Sequence, residues 1–162
     1  MEYESSEFAG LHKYFMRMAL MEAEIAGEAG DIPVGAVIVR DGIVISKAHN
    51  ERERNSNPCG HAEILAIQSA AYQLQDWRLA GCSLYVTLEP CMMCMGAIIQ
   101  SRIKALYYGC GDPVMGAYRS AISVEAYGAL INGIQVYDGI LSKEASSLIK
   151  EFFSRKRNKK II

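Results

Sequence analysis

His61-Ala62-Glu63 and Pro90-Cys91-Met92-Met93-Cys94 lie about thirty residues apart and constrain this chain more than any other feature. An imidazole and two thiolates suit a zinc ion. To act together, the two segments must be brought to one point by the fold. Three protein ligands leave a fourth position open to water, which is the arrangement of a catalytic zinc and not of a closed structural one. Glu63 sits only two residues from His61, so it is better placed to move protons beside the metal than to complete its shell. A redox dithiol would account for Cys91 and Cys94 alone and leave His61 and Glu63 unused. A closed structural site would need a fourth ligand, for which Cys59 is the nearest candidate, but such sites pair their ligands in two short knuckles and one is missing here.

The rest of the 162 residues reads as one enzyme domain spanning 1–162. With 51% hydrophobic residues the chain can bury a core, and no linker or low-complexity stretch divides it. No apolar run is long enough to cross a membrane, and Glu2, Glu4 and Glu7 do not open a signal peptide. A soluble, cytoplasmic protein is expected. In that reducing setting Cys59, Cys82 and Cys110 read as small apolar residues without disulfides.

Hydrophobic spacing gives alternating strands and helices. A helix is expected over Tyr14 to Glu28, ending near Gly27 and Gly30. Val34 to Val39 and Ile43 to Ser46 form a hairpin across Asp41-Gly42. After a polar loop, Asn50 to Gly60, come a helix from His61 to about Gln73, a strand Ser83 to Thr87, a helix Cys91 to Gln100 and a strand Lys104 to Gly109. The zinc residues therefore fall at two helix starts, where the first-turn amides and the helix dipole favour thiolate at Cys91 and Cys94. A loop, Gly111 to Gly116, a helix Ser120 to Leu130 and a strand near Ile134 to Tyr137 follow. That connection makes the fourth and fifth strands parallel. A helix from Lys143 to about Arg157 closes the chain.

The spacing H-x-E…P-C-x-x-C is a known signature of zinc deaminases of nucleobases. The chain resembles the bacterial tRNA adenosine deaminases of the cytidine deaminase superfamily over nearly its whole length. The blocks that carry the resemblance are Ile32-Pro33-Val34-Gly35-Ala36-Val37, Ala48-His49-Asn50, His61-Ala62-Glu63, Trp77-Arg78-Leu79, Leu84 to Cys91, and Phe152-Phe153 before a basic tail. The resemblance implies a three-layer α/β/α domain with a five-stranded mixed sheet. It implies one zinc per chain on His61, Cys91 and Cys94, with Glu63 as proton shuttle, Asn50 on the adenine edge and Val34 against the base. It also implies a homodimer whose partner subunit helps build the site, and conversion of the wobble adenosine of a tRNA anticodon stem-loop to inosine. From the residues alone, Asn50 also reads as a loop cap and Val34 as core.

Charge asymmetry points the same way. Residues 143–162 hold seven Lys or Arg against two Glu, a net of +5, so the overall −1 leaves −6 on the preceding 142 residues. Lys150, Arg155, Lys156, Arg157, Lys159 and Lys160 around Phe152 and Phe153 suit phosphate neutralisation, with an aromatic ring to stack on a splayed base. The competing reading is a solvated basic helix end with both phenylalanines in the core. Trp77 and Arg78 read as structural. Three departures from the family pattern fall in expected substrate loops: Asp112-Pro113-Val114-Met115-Gly116 lacks a lysine, Asn57-Pro58-Cys59 replaces an Asp-Pro pair, and Asn132-Gly133 stands where Asn-His is common. With Asp112 at the substrate mouth, the missing lysine and the added Met115 and Tyr118 leave a second reading open, a deaminase of a free nucleobase or nucleoside.

Overall fold

The computed structural model describes residues 6–159 apart from 127, 130 and 132. Lys160, Asn132 and the acidic residues Glu2 and Glu4 lie outside the described residues. The element order is α1 (Ser6–Glu28), β1 (Gly35–Arg40), β2 (Ile43–His49), α2 (Ala62–Leu74), β3 (Cys82–Leu88), α3 (Met92–Gln100), β4 (Ala105–Cys110), β5 (Gln135–Tyr137) and α4 (Ser142–Lys159). The five strands form one sheet in the order β2-β1-β3-β4-β5. β1 runs antiparallel to β2 and β3, whereas β3–β4 and β4–β5 are parallel, so the expected mixed sheet and parallel fourth and fifth strands are present.

The β1–β2 hairpin turns at Asp41 (φ 52) and Gly42 (φ 75), the two successive left-handed residues that a tight hairpin with native strand twist requires. Alternation along the strands then separates two cores. Ala36, Ile38, Leu84, Val86, Leu106 and Tyr108 face α2 and α3, where Ala66, Ala70, Met95 and Ile98 are buried. Val37, Val39, Tyr85 and Tyr107 face the other way, against Phe15, Met16 and Ala19 of α1. α4 lies beside α1 and packs on β4 and β3, completing the three layers.

Two expectations of extent need correction. α1 begins at Ser6 and not at Tyr14, because its first turns have a tertiary partner that spacing does not reveal: His12 is buried, its Nδ1 lies 2.8 Å from the Tyr85 hydroxyl, and its ring stacks on Tyr107. The helix expected over Ser120 to Leu130 is absent among its described residues, where only a 3₁₀ turn, Val124–Ala126, forms. Its amides are engaged elsewhere. Ser120 N donates to Glu89, Ala121 N and Ile122 N to Gly116 O, Val124 N to Ala117 O and Glu125 N to Tyr118 O. Glu89 and loop carbonyls five to seven residues back have displaced the i−4 ladder, in a segment whose serines compete with it anyway.

The candidate active site

The strands end where the chemistry begins. Val34 precedes β1, Asn50 follows β2, Glu89 and Pro90 follow β3, and Asp112 lies just past β4. Crevices at the carboxyl ends of parallel strands are the usual ligand sites of such sheets. α2 and α3 start at the same edge, with His61 and Cys91 as their N-cap residues.

The three expected ligands converge. His61 Nδ1 lies 3.6 Å from Cys91 Sγ and 3.6 Å from Cys94 Sγ. One atom from each residue falls within 4.8 Å of the others, and Glu63 is not part of that group. Zinc bonds of about 2.0–2.1 Å to nitrogen and about 2.3 Å to sulfur, set at a tetrahedral angle, would separate the two donors by about 3.6 Å. Both nitrogen–sulfur separations therefore fit the donor spacing of a tetrahedral zinc site. The Cys94 thiol and the His61 ring hold Cys91 down to about 4, the thiolate form a zinc ligand must have. Cys91 in turn raises its neighbour Cys94, which is also buried, and raises His61 above the ordinary imidazole range.

Glu63, in the first turn of α2, is buried beside this group. Burial pushes its carboxyl up to about 7, offset in part by its own backbone hydrogen bond and by the nearby His61. A carboxyl poised there can both take and return a proton.

Ile32, Val34, Asn50, Arg52, His61, Glu63, Leu88, Glu89, Cys91, Asp112 and Met115 enclose a cavity of about 130 Å³ over the site. Asn50 caps the loop: its Nδ2 donates to Ile32 O at 3.2 Å and its Oδ1 accepts from Arg52 N at 3.1 Å, and of the four hydrogen-bonding positions of an amide these two bonds use two. Val34 is buried and lines the cavity, so it is core and wall at once. Asp112 lines the cavity while its Oδ1 accepts from Val114 N and Met115 N, which closes a tight turn.

Phe153 is 41% exposed and stands in a second cavity, about 400 Å³, whose lining shares Ile32, Leu88, Asp112 and Met115 with the first. The two cavities adjoin across these four residues. Lys150 and Val114 complete that wall, and Arg157 lies one helical turn beyond Phe153 on the same face of α4. Arg155 does not join them. It pairs with Glu151 at 3.6 Å and faces the α1–α4 groove with Phe152 and Lys156. Trp77, expected to be structural, is 54% exposed and carries the Arg78 guanidinium 4.4 Å from its ring centre. Cys59 is exposed and so is not a packing residue, whereas Cys82 is buried and Cys110 half-buried; all three are unbridged.

Sequence reasoning overlooked Glu89. Its carboxylate is 2% exposed and accepts three backbone N–H groups from the loop after β4: Asp112 at 3.1 Å, Arg119 at 2.8 Å and Ser120 at 3.0 Å. Burial opposes its charge, but the Ser120 hydroxyl and these amides outweigh burial and hold the group below the ordinary carboxylate range. Gly116 is packed so closely on Glu89 Oε2 and Asp112 O that a Cβ there would collide with both. The signal in the sequence was a carboxylate ending an otherwise apolar strand, just before Pro90. Asp31 does the same for the other wall. It is fully buried and accepts Glu53 N at 2.7 Å and Arg54 N at 3.2 Å, fixing the loop after Asn50.

Residues 10–110 match the family model described as the cytidine and deoxycytidylate deaminase zinc-binding region. A tRNA-specific adenosine deaminase of Agrobacterium fabrum is 42% identical over 144 residues, covering 89% of this chain and 95% of that protein. A solved structure from work on A-to-I editing by tRNA:A34 deaminases at the wobble position aligns at a TM-score of 0.80 and 41% identity, covering 83% of this chain and 98% of that one. A guanine deaminase from Nitrosomonas europaea aligns at a TM-score of 0.76 and 25% identity, over 86% of this chain and 83% of its own.

Proposed function

Since the chain belongs to the cytidine and deoxycytidylate deaminase zinc-binding family, we propose that it is a hydrolytic deaminase that converts the wobble adenosine of a tRNA anticodon loop to inosine, with release of ammonia. The observation that carries this reading is the buried Glu63 carboxyl set against the His61, Cys91 and Cys94 donors at the floor of an open cavity. The named activities of the relatives at 42% and 41% identity support tRNA as substrate.

When held by His61, Cys91 and Cys94, zinc supplies the Lewis acidity that makes water a nucleophile near neutral pH. Glu63 accepts the proton released as water adds to C6 of adenine and delivers it to N1. It then moves the remaining proton, that of the new C6 hydroxyl, to the amino group; the C6–N6 bond breaks as the C6=O bond of inosine forms, and ammonia leaves. Val34 packs on the base, and the spare hydrogen-bonding positions of Asn50 read its edge. Asp112 holds the mouth of the cavity in its turn. Phe153 offers a stacking surface for a flanking base, while Arg157 on the same face, and Arg155 at the far side of the helix end, neutralise phosphates.

Residues 1–162 act on this reading as one domain, in a cytoplasmic homodimer whose second subunit helps close the site. No helix among the described residues is long and apolar enough to cross a membrane. A free-base substrate is the competing reading, favoured by the likeness to a guanine deaminase and by the exposed, uncharged Val114 and Met115 at the mouth. Assaying an anticodon stem-loop and free purines side by side separates the two. Inosine in the stem-loop supports the proposal, and efficient turnover of a free base with an untouched stem-loop rejects it.

A further inference from the structure

α4 carries cations on two faces, and only one of those faces adjoins the zinc site. Phe152, Arg155, Lys156 and Lys159 turn toward α1, where Glu24 and Glu28 line the same groove. Arg155 pairs there with Glu151 at 3.6 Å, and the Lys156 ammonium lies 5.0 Å from the Phe152 ring centre. Ser146, Ile149, Lys150 and Phe153 follow the i, i+3, i+4, i+7 spacing of a single helical face and line the cavity beside the site. Lys150 is the one cation among the residues that line it. It also stands close to the end of β4, because burial and Asp112 raise the Cys110 thiol while Lys150 is near enough to oppose them. Among the described residues Lys150 forms no ion pair or hydrogen bond of its own.

The charges around the boundary between the two cavities say what this lysine can hold. Asp112 lines both cavities, and the Glu89 carboxylate, tied to loop amides, lines the first. A phosphodiester running from one cavity to the other therefore meets two carboxylates and needs a cation to offset them. Arg52, which lines the first cavity, already pairs with Glu53 at 3.2 Å. On the Phe153 side that leaves Lys150. Lys150, Phe153 and Arg157 succeed one another at steps of three and four residues, so the ring stands between two cations about 10 Å apart along the helix. A base stacked on Phe153 would have one of its two phosphates toward each.

We propose that Lys150 is a specificity-determining residue, which binds the phosphodiester joining the target nucleoside to a neighbouring nucleotide stacked on Phe153. The inference rests on the reading of this site as an RNA deaminase. The cation that the loop after β4 lacks at Val114 is then supplied to the same cavity from α4. A nucleoside within a strand gains this contact, whereas a free nucleoside or base has no phosphate to offer and gains nothing from Lys150.

Kinetics of the zinc-loaded full chain on an anticodon stem-loop test this, using the natural backbone and backbones with one uncharged methylphosphonate on either side of the wobble adenosine. With the intact chain, one of the two neutralised linkages should lower kcat/KM by about tenfold, in the range of a hydrogen bond to a charged group. Lys150 is exposed, so its replacement leaves the core as it is. Lys150→Met should lower kcat/KM on the natural stem-loop by a similar factor and flatten the salt slope by about 0.7, and Lys150→Arg should restore both. The two losses should not add: at the sensitive linkage the methylphosphonate costs Lys150→Met nothing further. A lysine that only braced α4 would give additive losses. The inference is overturned if neither neutralised linkage slows the intact chain, if zinc-loaded Lys150→Met matches the intact chain, or if the two losses add. A natural stem-loop left unmodified by the intact chain rejects the RNA reading itself, and this inference with it.

Discussion

Among the described residues three carboxylates are buried, Asp31, Glu63 and Glu89, and their surroundings set Glu63 apart from the other two. Glu63 has no cluster of amides, so burial raises it to about 7 and it can exchange protons. Glu89 and Asp31 are instead tied to loop amides and work as anchors. Glu63→Ala should retain zinc and fold while deamination falls by about 10²–10⁴-fold, the usual worth of a positioned acid–base group. Loss of zinc from that variant would mean that Glu63 is a ligand. Cys91→Ala should lower both zinc content and melting temperature, since metal binding and folding are linked; full occupancy would show the ligand set to be wrong.

Glu89→Gln keeps the shape but turns one acceptor into a donor facing loop amides. It should cost about 2 kcal/mol at neutral pH, in the range for a hydrogen bond to a buried charge. The sign with pH follows from the depressed carboxyl. The stabilisation is complete above the ordinary carboxylate value, about 4.3, and is lost as pH falls through the lower folded value. Melting curves of the two proteins should therefore converge in acid. A gap that persists unchanged at low pH would remove the charge from the explanation.

At the scale of elements, the sequence was most readable where local pattern and tertiary role agree. Val34 to Val39 and the Asp41-Gly42 turn announced the hairpin because period and turn chemistry are both local. The helix starts at His61 and Cys91 were legible because the metal ligands had to converge and both are N-caps in the structure. Ser120 to Leu130 misled for the opposite reason. Its fate is set by Glu89 and Gly116, which are distant in sequence or lie outside its own period. Likewise, nothing in the tail distinguished Phe152 from Phe153. Only the packing of α4 shows Phe153 in the cavity beside the site and Phe152 with Arg155 in the α1–α4 groove.

That division makes the end of α4 testable as an element. Truncation after Phe153 removes Arg155, Lys156, Arg157, Lys159 and Lys160 but keeps the ring. RNA affinity should fall, and the slope of log K against log salt should flatten by about 0.7–0.9 for each phosphate no longer neutralised. Zinc content and turnover of small substrates should stay close to those of the intact chain, because on the proposed reading the tail contacts only the RNA backbone, and phosphate contacts position a substrate without performing the chemistry. An unchanged salt slope would place the RNA elsewhere on the protein.

For the whole molecule, the three metal-ligand candidates lie at one edge of the sheet, and the cavity over them shares four lining residues with the cavity in which Phe153 stands, so the proposed binding and chemistry would rest on the same strand ends. The decisive measurement is nucleoside analysis of a tRNA anticodon stem-loop with adenosine at the wobble position, after incubation with the zinc-loaded chain and, in parallel, with Glu63→Ala. Inosine is expected at that adenosine with the intact chain and almost none with the variant. A stem-loop left wholly as adenosine by an intact chain that carries its zinc would contradict deamination of tRNA by this site.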